Sequence, residues 1–285
     1  MKFMRLGPLG SEQPAVQSDD GRLWDLTPLT ADITAEFLTS DGAARARRAL
    51  AAGELPPLDG DGLRVGAPIA CPGKIVCVGL NYRDHAKETG APIPERPVVF
   101  MKAANTVVGP YDTVRIPRGS EKTDWEVELA VVIGAQARYL ASPEAARAVI
   151  AGYTISNDVS ERSFQLELSS QWDLGKSCET FNPLGPWLVT SDEVGDPQAL
   201  GLRLRVNGEE RQNGTTKDMI FSVDHIVWFL SQYMVLEPGD VVNTGTPAGV
   251  ALGLPDSPYL RAGDTVELEI DGLGRQRQTF SAAEA

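Results

Sequence analysis

From residue 71 onward the chain is dominated by short apolar runs punctuated by turn residues. KIVCVGL, RPVVFMKA, DTVRIP, VELAVVIG, GYTISNDV, GPWLVT, LRLRVNG, DVVNTG and DTVELEIDG are β-type stretches between Gly, Pro and Asn turns. They predict a β-rich body. Helical spacing is confined to NYRDHAKE before Gly90, to SPEAARAVIAG, and to SVDHIVWFLSQYM, where Ser222 is the expected N-cap and apolar residues recur near a 3.6 period. Residues 1–70 differ in texture: an apparent hairpin (MKFMRLG, then PAVQSDDGRLWDL), an Ala/Arg-rich helical patch (AARARRALAAG) and the loop-like LPPLDGDG. The expected organisation is a small N-terminal α+β domain, 1–70, before a larger mainly β domain, 71–285. No internal repeat or low-complexity segment is present.

Within that pattern DWEVELAVVIG, residues 124–134, stands out. In an extended chain Asp124, Glu126 and Glu128 share one face and Trp125, Val127, Leu129, Val131 and Ile133 the other. The acids' face continues as Ala130 and Val132, so they sit at the mouth of a strand that is apolar on both sides. Taken alone, that is most simply a strand end entering solvent. Two carboxylates in that position also suit a cation.

Composition narrows which cation and which partner. The 285 residues, 42% hydrophobic, can bury a large core, and the formal charge of −13 disfavours nucleic acid or an anionic membrane as a partner. No apolar run is long enough for a membrane span and no secretory signal pattern is seen, so a cytoplasmic protein with a small-molecule ligand is expected. Three cysteines without CxxC spacing predict free, mostly buried thiols. Only His85 and His225 are available, in neither HExxH nor HxH spacing, which leaves an oxygen-ligand site for Mg²⁺, Mn²⁺ or Ca²⁺. Asp158, where GYTISNDV ends in Asn157-Asp158, is the candidate third carboxylate.

Three further stretches carry candidate chemistry. In GLNYRDHAKETG, His85 and Glu88 are three apart on one helical face, an imidazole–carboxylate pair able to activate water, with Asn81 as the expected cap and Gly90 the end. In QWDLGKSCETFNPLGPW, Lys176 is the single lysine; near a divalent metal it could neutralise a bound carboxylate or stabilise an enolate. In NTGTPAGV, backbone N–H groups and the Thr246 hydroxyl could hold an anionic ligand group. His225, among Ile226, Val227, Trp228, Phe229 and Leu230, reads as structural.

Together GLNYRDHAKE, DWEVELAVVIG, the 157–162 stretch, GKSCETFNPLGPW and NTGTPAGV resemble the fumarylacetoacetate hydrolase family, in order and spacing, over residues 71–285. The resemblance implies a mixed β-sandwich roll, usually homodimeric, with Mg²⁺ or a similar ion on Glu126, Glu128 and Asp158. It further implies catalytic roles for His85, Glu88 and Lys176, and substrate contacts from Arg162, Gln165 and Thr246. Ser160-Glu161-Arg162-Ser163 departs from the family's usual Ser-Ala-Arg-Asp, and Asp124 lies outside the implied metal set, as a supporting or turn-forming residue. The implied activity is hydrolysis of the C3–C4 bond of a 2,4-dioxo acid to pyruvate and a carboxylic acid. The pattern is most similar to the group acting on 2,4-diketo-3-deoxy-L-fuconate or -rhamnonate, with lactate as co-product. Oxaloacetate-type decarboxylation, 2-hydroxydienoate isomerisation and a non-catalytic metal- or acid-binding module are the alternatives.

Overall fold

VELAVVI forms the strand Val127–Ile133, and every one of its residues is buried. In the computed structural model, which describes residues 1–90, 92–168 and 170–283, the two faces of this strand meet different cores. Val127, Leu129, Val131 and Ile133 pack with Leu202, Leu204, Val266, Leu268 and Ile270. On the opposite face Ala130 joins Ile75, Cys77, Phe100 and Leu184, and Val132 joins Phe3, Val16, Phe37 and Leu188. A strand covered on both sides reads as an unbroken apolar run.

The architecture is mainly β, with a twelve-stranded and a five-stranded sheet. In spatial order the path of the larger sheet is Pro57–Leu58, Leu23–Asp25, Gln13–Gln17, Lys2–Leu6, Asn182–Thr190, Ile150–Asn157, Val127–Ile133, Val241–Asn243, Ile75–Gly79 and Val98–Lys102. Its neighbours are antiparallel except the 241–243 and 75–79 pair. The smaller sheet runs Glu209–Thr215, Gly201–Val206, Thr265–Ile270, Gly274–Ala282 and Val114–Ile116. Residues 1–70 contribute to the larger sheet directly: Lys2 and Phe3 pair with Val189 and Leu188, and the Phe3 ring meets Phe37 edge-on at 5.2 Å.

Two polar strands, 209–215 and 274–282, have no apolar alternation and were not expected from pattern. Apart from Phe280, which joins the main core, their fully buried positions are glutamines that satisfy backbone groups. Gln212 accepts from the Val127 N–H at 2.9 Å, while the amide of Gln276 donates to Ile155 O at 2.8 Å and that of Gln278 to Pro110 O at 2.6 Å. A buried amide with full partners replaces an apolar side chain there.

Other expectations change in detail. The helix expected over SPEAARAVIAG is a 3-10 stretch, Pro143–Val149, that passes into the strand Ile150–Asn157, because Gly152 and Tyr153 are claimed by pairing with Thr190 and Val189. SVDHIVWFLSQYM does form a helix, Val223–Ser231, and the Ser222 hydroxyl accepts from the His225 N–H at 3.2 Å. The cysteines are free, but only Cys77 is fully buried; Cys71 is exposed and Cys178 half-buried. No described helix is long and apolar enough to cross a membrane.

Because Phe3 ties the N-terminal strands to Val132 and Leu188 of the main sheet, Phe3→Ala should cost about 3–5 kcal/mol of unfolding free energy. Denaturant titration read by fluorescence and by circular dichroism checks this. A loss below about 1 kcal/mol would show that the N-terminal strands contribute little to the stability of the sheet.

Candidate active site

Pairing of two strand ends builds the acidic floor. Val127 lies opposite Asn157, and the Asp158 N–H donates to the Glu126 carbonyl at 3.0 Å, so Glu126 and Asp158 leave adjacent strands side by side. Glu128 follows two residues on, on the same face. One oxygen from each of Glu126, Glu128 and Asp158 falls within 4.8 Å of the others, and all three residues are buried.

Carboxylates removed from water need partners, and cations from three other elements converge on them. Lys176, at the end of the short helix Asp173–Lys176, bridges Glu126 Oε2 at 2.8 Å and Asp158 Oδ2 at 2.9 Å. Its approach depends on Gly175, where a Cβ would lie 2.4 Å from the Glu161 carbonyl oxygen. Arg162 donates to Glu126 Oε1 at 2.7 Å, to Asp124 Oδ2 at 2.8 Å and to Gln165 Oε1 at 3.0 Å. Lys102, which sequence reasoning missed, donates to Asp158 Oδ1, to Val159 O at 3.1 Å and to Phe181 O at 2.7 Å. The signal was present in RPVVFMKA, where a lysine ends an apolar strand.

Asp124 is more than a turn former. Besides Arg162 it accepts from the N–H groups of Trp125 and Ala251, each at 2.8 Å, and of Leu252 at 3.1 Å. It holds the arginine against Glu126 and the 251–252 backbone against the strand end.

Four carboxylates here face three cations, Lys102, Arg162 and Lys176. Burial works to raise the Glu126 carboxyl, but Lys176 and Arg162 outweigh it and hold it down at about 2. Burial also opposes the Lys176 charge, and Asp158 and Glu126 more than offset it, so its pKa is raised. Glu128 is different: burial, reinforced by the nearby Asp158 and Glu126, pushes its carboxyl well above the ordinary range. Its Oε2 takes the Gly245 N–H at 2.8 Å, and no cation forms an ion pair with it among the described residues. Three converging carboxylates, one lacking a cation, fit a hard divalent ion, for which an all-oxygen donor set is suited.

The second half of the site lies on the helix Arg83–Thr89. His85 Nδ1 is 3.5 Å from Glu88 Oε2, is buried, and has no hydrogen-bond partner. The pair is therefore within reach but not closed, as catalytic contacts often are before substrate binds. Asn81 does not cap this helix. Its side chain instead donates to Thr244 O and Phe221 O at 2.8 and 3.1 Å and accepts from the Phe221 N–H at 2.8 Å.

NTGTPAGV also behaves differently from expectation. Its N–H groups hold the protein's own carboxylates: Gly245 binds Glu128, Ala248 binds Asp84 at 3.2 Å, and Gly249 binds Glu88 at 3.0 and 3.1 Å. The Thr246 hydroxyl donates to Val127 O at 2.9 Å and accepts from Gln212 at 2.8 Å. The loop thus fixes both halves of the site. His225 lies elsewhere, stacked between Phe221 and Phe229 at 5.3 and 6.3 Å, in keeping with a structural residue.

A cavity of about 150 Å³ opens between the two halves, lined by His85, Glu126, Glu128, Arg162, Gln165, Lys176 and Thr246 among others. Asp158 and Glu88 do not line it; the first meets Lys176 and the second the Gly249 backbone.

Because the Glu128 carboxyl is raised, it keeps its proton at pH values where a free glutamate has lost it. Loading a divalent ion should expel that proton, so affinity should fall as pH drops and calorimetric heats should depend on the buffer's ionisation enthalpy. Titration of Mn²⁺ in two buffers reads this; identical heats would count against it.

Comparison with known proteins places this geometry. The family model described as fumarylacetoacetate (FAA) hydrolase C-terminal matches residues 74–281. A Burkholderia multivorans relative is 49% identical over 286 residues, covering 99% of this chain and 100% of its own. Among solved structures, fumarylacetoacetate hydrolase from psychrophilic Exiguobacterium antarcticum is 36% identical, covers 99% of this chain and 100% of its own, and superposes with a TM-score of 0.85. A 5-carboxymethyl-2-hydroxymuconate delta-isomerase from Mycobacterium smegmatis is 30% identical with a TM-score of 0.79, over 100% of both chains. Maleylpyruvate hydrolase from Sphingobium sp. SYK-6, in complex with manganese(II) ion and pyruvate, is 26% identical with a TM-score of 0.83, again over 100% of both. The chain belongs to the fumarylacetoacetate hydrolase family.

Proposed function

We propose that the protein is a divalent-metal-dependent hydrolase that cleaves the C3–C4 bond of a 2,4-dioxo acid of the acylpyruvate type, releasing pyruvate and a carboxylic acid. One observation carries this reading: the Glu126 and Glu128 carboxylates, with Asp158 clustered against them, line a small cavity that His85 also lines, with Glu88 beside the imidazole. The manganese and pyruvate bound by the Sphingobium maleylpyruvate hydrolase support it by analogy.

Glu126, Glu128 and Asp158 are the residues that would hold the ion, Mg²⁺ or Mn²⁺ by donor type. When bound, it supplies Lewis acidity toward the 2-oxo acid. Lys176, Arg162 and Gln165 line the same end and offer donors to the substrate carboxylate and 2-oxo group. His85 takes a proton from water, and Glu88, anchored by the Gly249 N–H, steadies the imidazolium that forms. Hydroxide adds to the C4 carbonyl. The C3–C4 bond then breaks, its electron pair passing to C3 and the adjacent 2-oxo group. A proton delivered to C3 completes pyruvate, and the C4 fragment leaves as the carboxylic acid, so that one water is consumed per turnover.

The sequence pattern favours 2,4-diketo-3-deoxy-L-fuconate or -rhamnonate as the dioxo acid, with lactate as co-product. Decarboxylation of an oxaloacetate-type acid or isomerisation of a 2-hydroxydienoate would use the same acid end without water addition, and the isomerase relatives keep the second of these in view. His85–Glu88 favours hydrolysis, since neither alternative needs a base for water.

Glu126→Gln or Glu128→Gln should abolish both Mn²⁺ binding and pyruvate release. His85→Ala should retain the metal and lower kcat by about 10²- to 10⁴-fold. Oxygen-18 from water should enter the carboxylic acid co-product. Undiminished pyruvate release from EDTA-treated protein, or unlabelled co-product, would exclude the mechanism.

A further inference from the structure

The cavity changes character along its length. Its described charged and ionisable lining residues, His85, Glu126, Glu128, Arg162 and Lys176, all belong to the catalytic end already described. Beyond them the wall turns aromatic within one side chain. The Lys176 ammonium is 4.9 Å from the centre of the Phe100 ring, and Trp172 meets Phe100 at 5.5 Å in an edge-on contact. Trp172 can lie against the end of the 75–79 strand because Gly79 has no side chain: a Cβ there would stand 2.5 Å from the indole.

Three leucines add to the apolar lining. Leu80, Leu166 and Leu252 line the cavity, and Leu166 and Leu252 remain 46% and 37% exposed. Leu80 has a left-handed backbone, φ 53°, a conformation that glycine or asparagine adopts more easily. The turn alone does not call for leucine; its place in the wall does. Polar side chains at this end are few. The Thr89 hydroxyl donates to the His85 carbonyl at 2.9 Å, which leaves the Trp172 indole N–H as a donor.

We propose that the group attached to C4 of the substrate is apolar, an alkyl or aryl chain, rather than a polyhydroxylated or carboxylate-terminated one. This rests on the hydrolase reading above, which sets the 2-oxo acid head among the charged residues and so directs the tail along Phe100, Trp172 and the leucines. A polyhydroxylated tail brought against that wall gives up more water than the single Trp172 N–H replaces, and among the described lining residues a terminal carboxylate meets no cation besides Arg162 and Lys176, which the head engages. The wall thus disfavours the sugar acids to which the sequence pattern points. A methylene there is removed from water at a gain of about three- to fourfold in binding.

The test uses the Mn²⁺-loaded full chain and 2,4-dioxo acids bearing methyl, propyl, pentyl and phenyl groups on C4, beside a 2,4-dioxo-3-deoxy sugar acid and a carboxylate-ended analogue. In parallel, binding is measured for 2-oxo acids with the same tails but no 4-oxo group to cleave. The kcat/KM and the affinity should both rise about three- to fourfold per methylene until the tail reaches the rim. The sugar acid should fall at least tenfold below the pentyl compound. Leu166→Gln and Leu252→Gln, at partly exposed sites where folding should survive, should each lower the pentyl-to-methyl ratio at least fivefold. A flat series, or best turnover of the hydroxylated or carboxylate-ended tail, overturns the proposal while leaving the hydrolase assignment standing. Binding that rises with the tail without cleavage of any dioxo acid supports the apolar tail and instead removes the hydrolase reading.

Discussion

Asp124, Glu126, Glu128 and Asp158 are carboxylates taken out of water at the ends of two paired strands, and much of the structure answers to that burden. Buried charge is tolerated where opposite charge and hydrogen bonds meet it at close range. Here Lys102 comes from one strand, Arg162 and Lys176 from two short helices, and each bonds to more than one acceptor. Breaking one such contact strands a charge in a low-dielectric interior, which costs more than the contact itself contributes. Among the described residues no cation forms an ion pair with Glu128, and burial together with Asp158 and Glu126 raises its carboxyl.

The same constraint explains the glycine-rich loop after the 241–243 strand. Its N–H groups are turned inward onto Glu128, Asp84 and Glu88 rather than outward toward a ligand. One loop therefore sets the acidic floor and the His85–Glu88 helix in register with each other. A small displacement of it would alter both, so the distance between the His85–Glu88 pair and the three carboxylates, which stand on different elements, is set by one loop.

Family membership brings a range of chemistries, since relatives of this chain are named as hydrolases and as an isomerase. A shared fold does not choose among them; the groups around the cavity do. The ionic end is suited to a 2-oxo acid head, while Phe100, Trp172, Leu80, Leu166 and Leu252 form a surface with little to offer a hydrated tail. In the proposed reading, reaction class and tail preference are written in opposite ends of one small space.

Much of this was legible in the chain itself. The apolar runs located most strands because side chains of a strand buried on both faces must be apolar nearly throughout, and Glu126 and Glu128 stood out as exceptions at the end of such a run. Motif order pointed to the family and to His85, Glu88, Asp158, Arg162, Gln165 and Lys176, which the fold gathers around one cavity or directly behind its lining. What pattern could not show depended on partners distant in sequence. Lys102 looks like any lysine ending a strand until Asp158 is beside it. Gln212, Gln276 and Gln278 look like a solvated face until their amides are seen to satisfy buried backbone. Asn81 resembles a helix cap until Phe221 and Thr244 arrive from residues far along the chain. Local periodicity records which face of an element is apolar, whereas the balancing of buried charge and hydrogen bonds is settled only where separate elements meet, and that was decided by the tertiary structure.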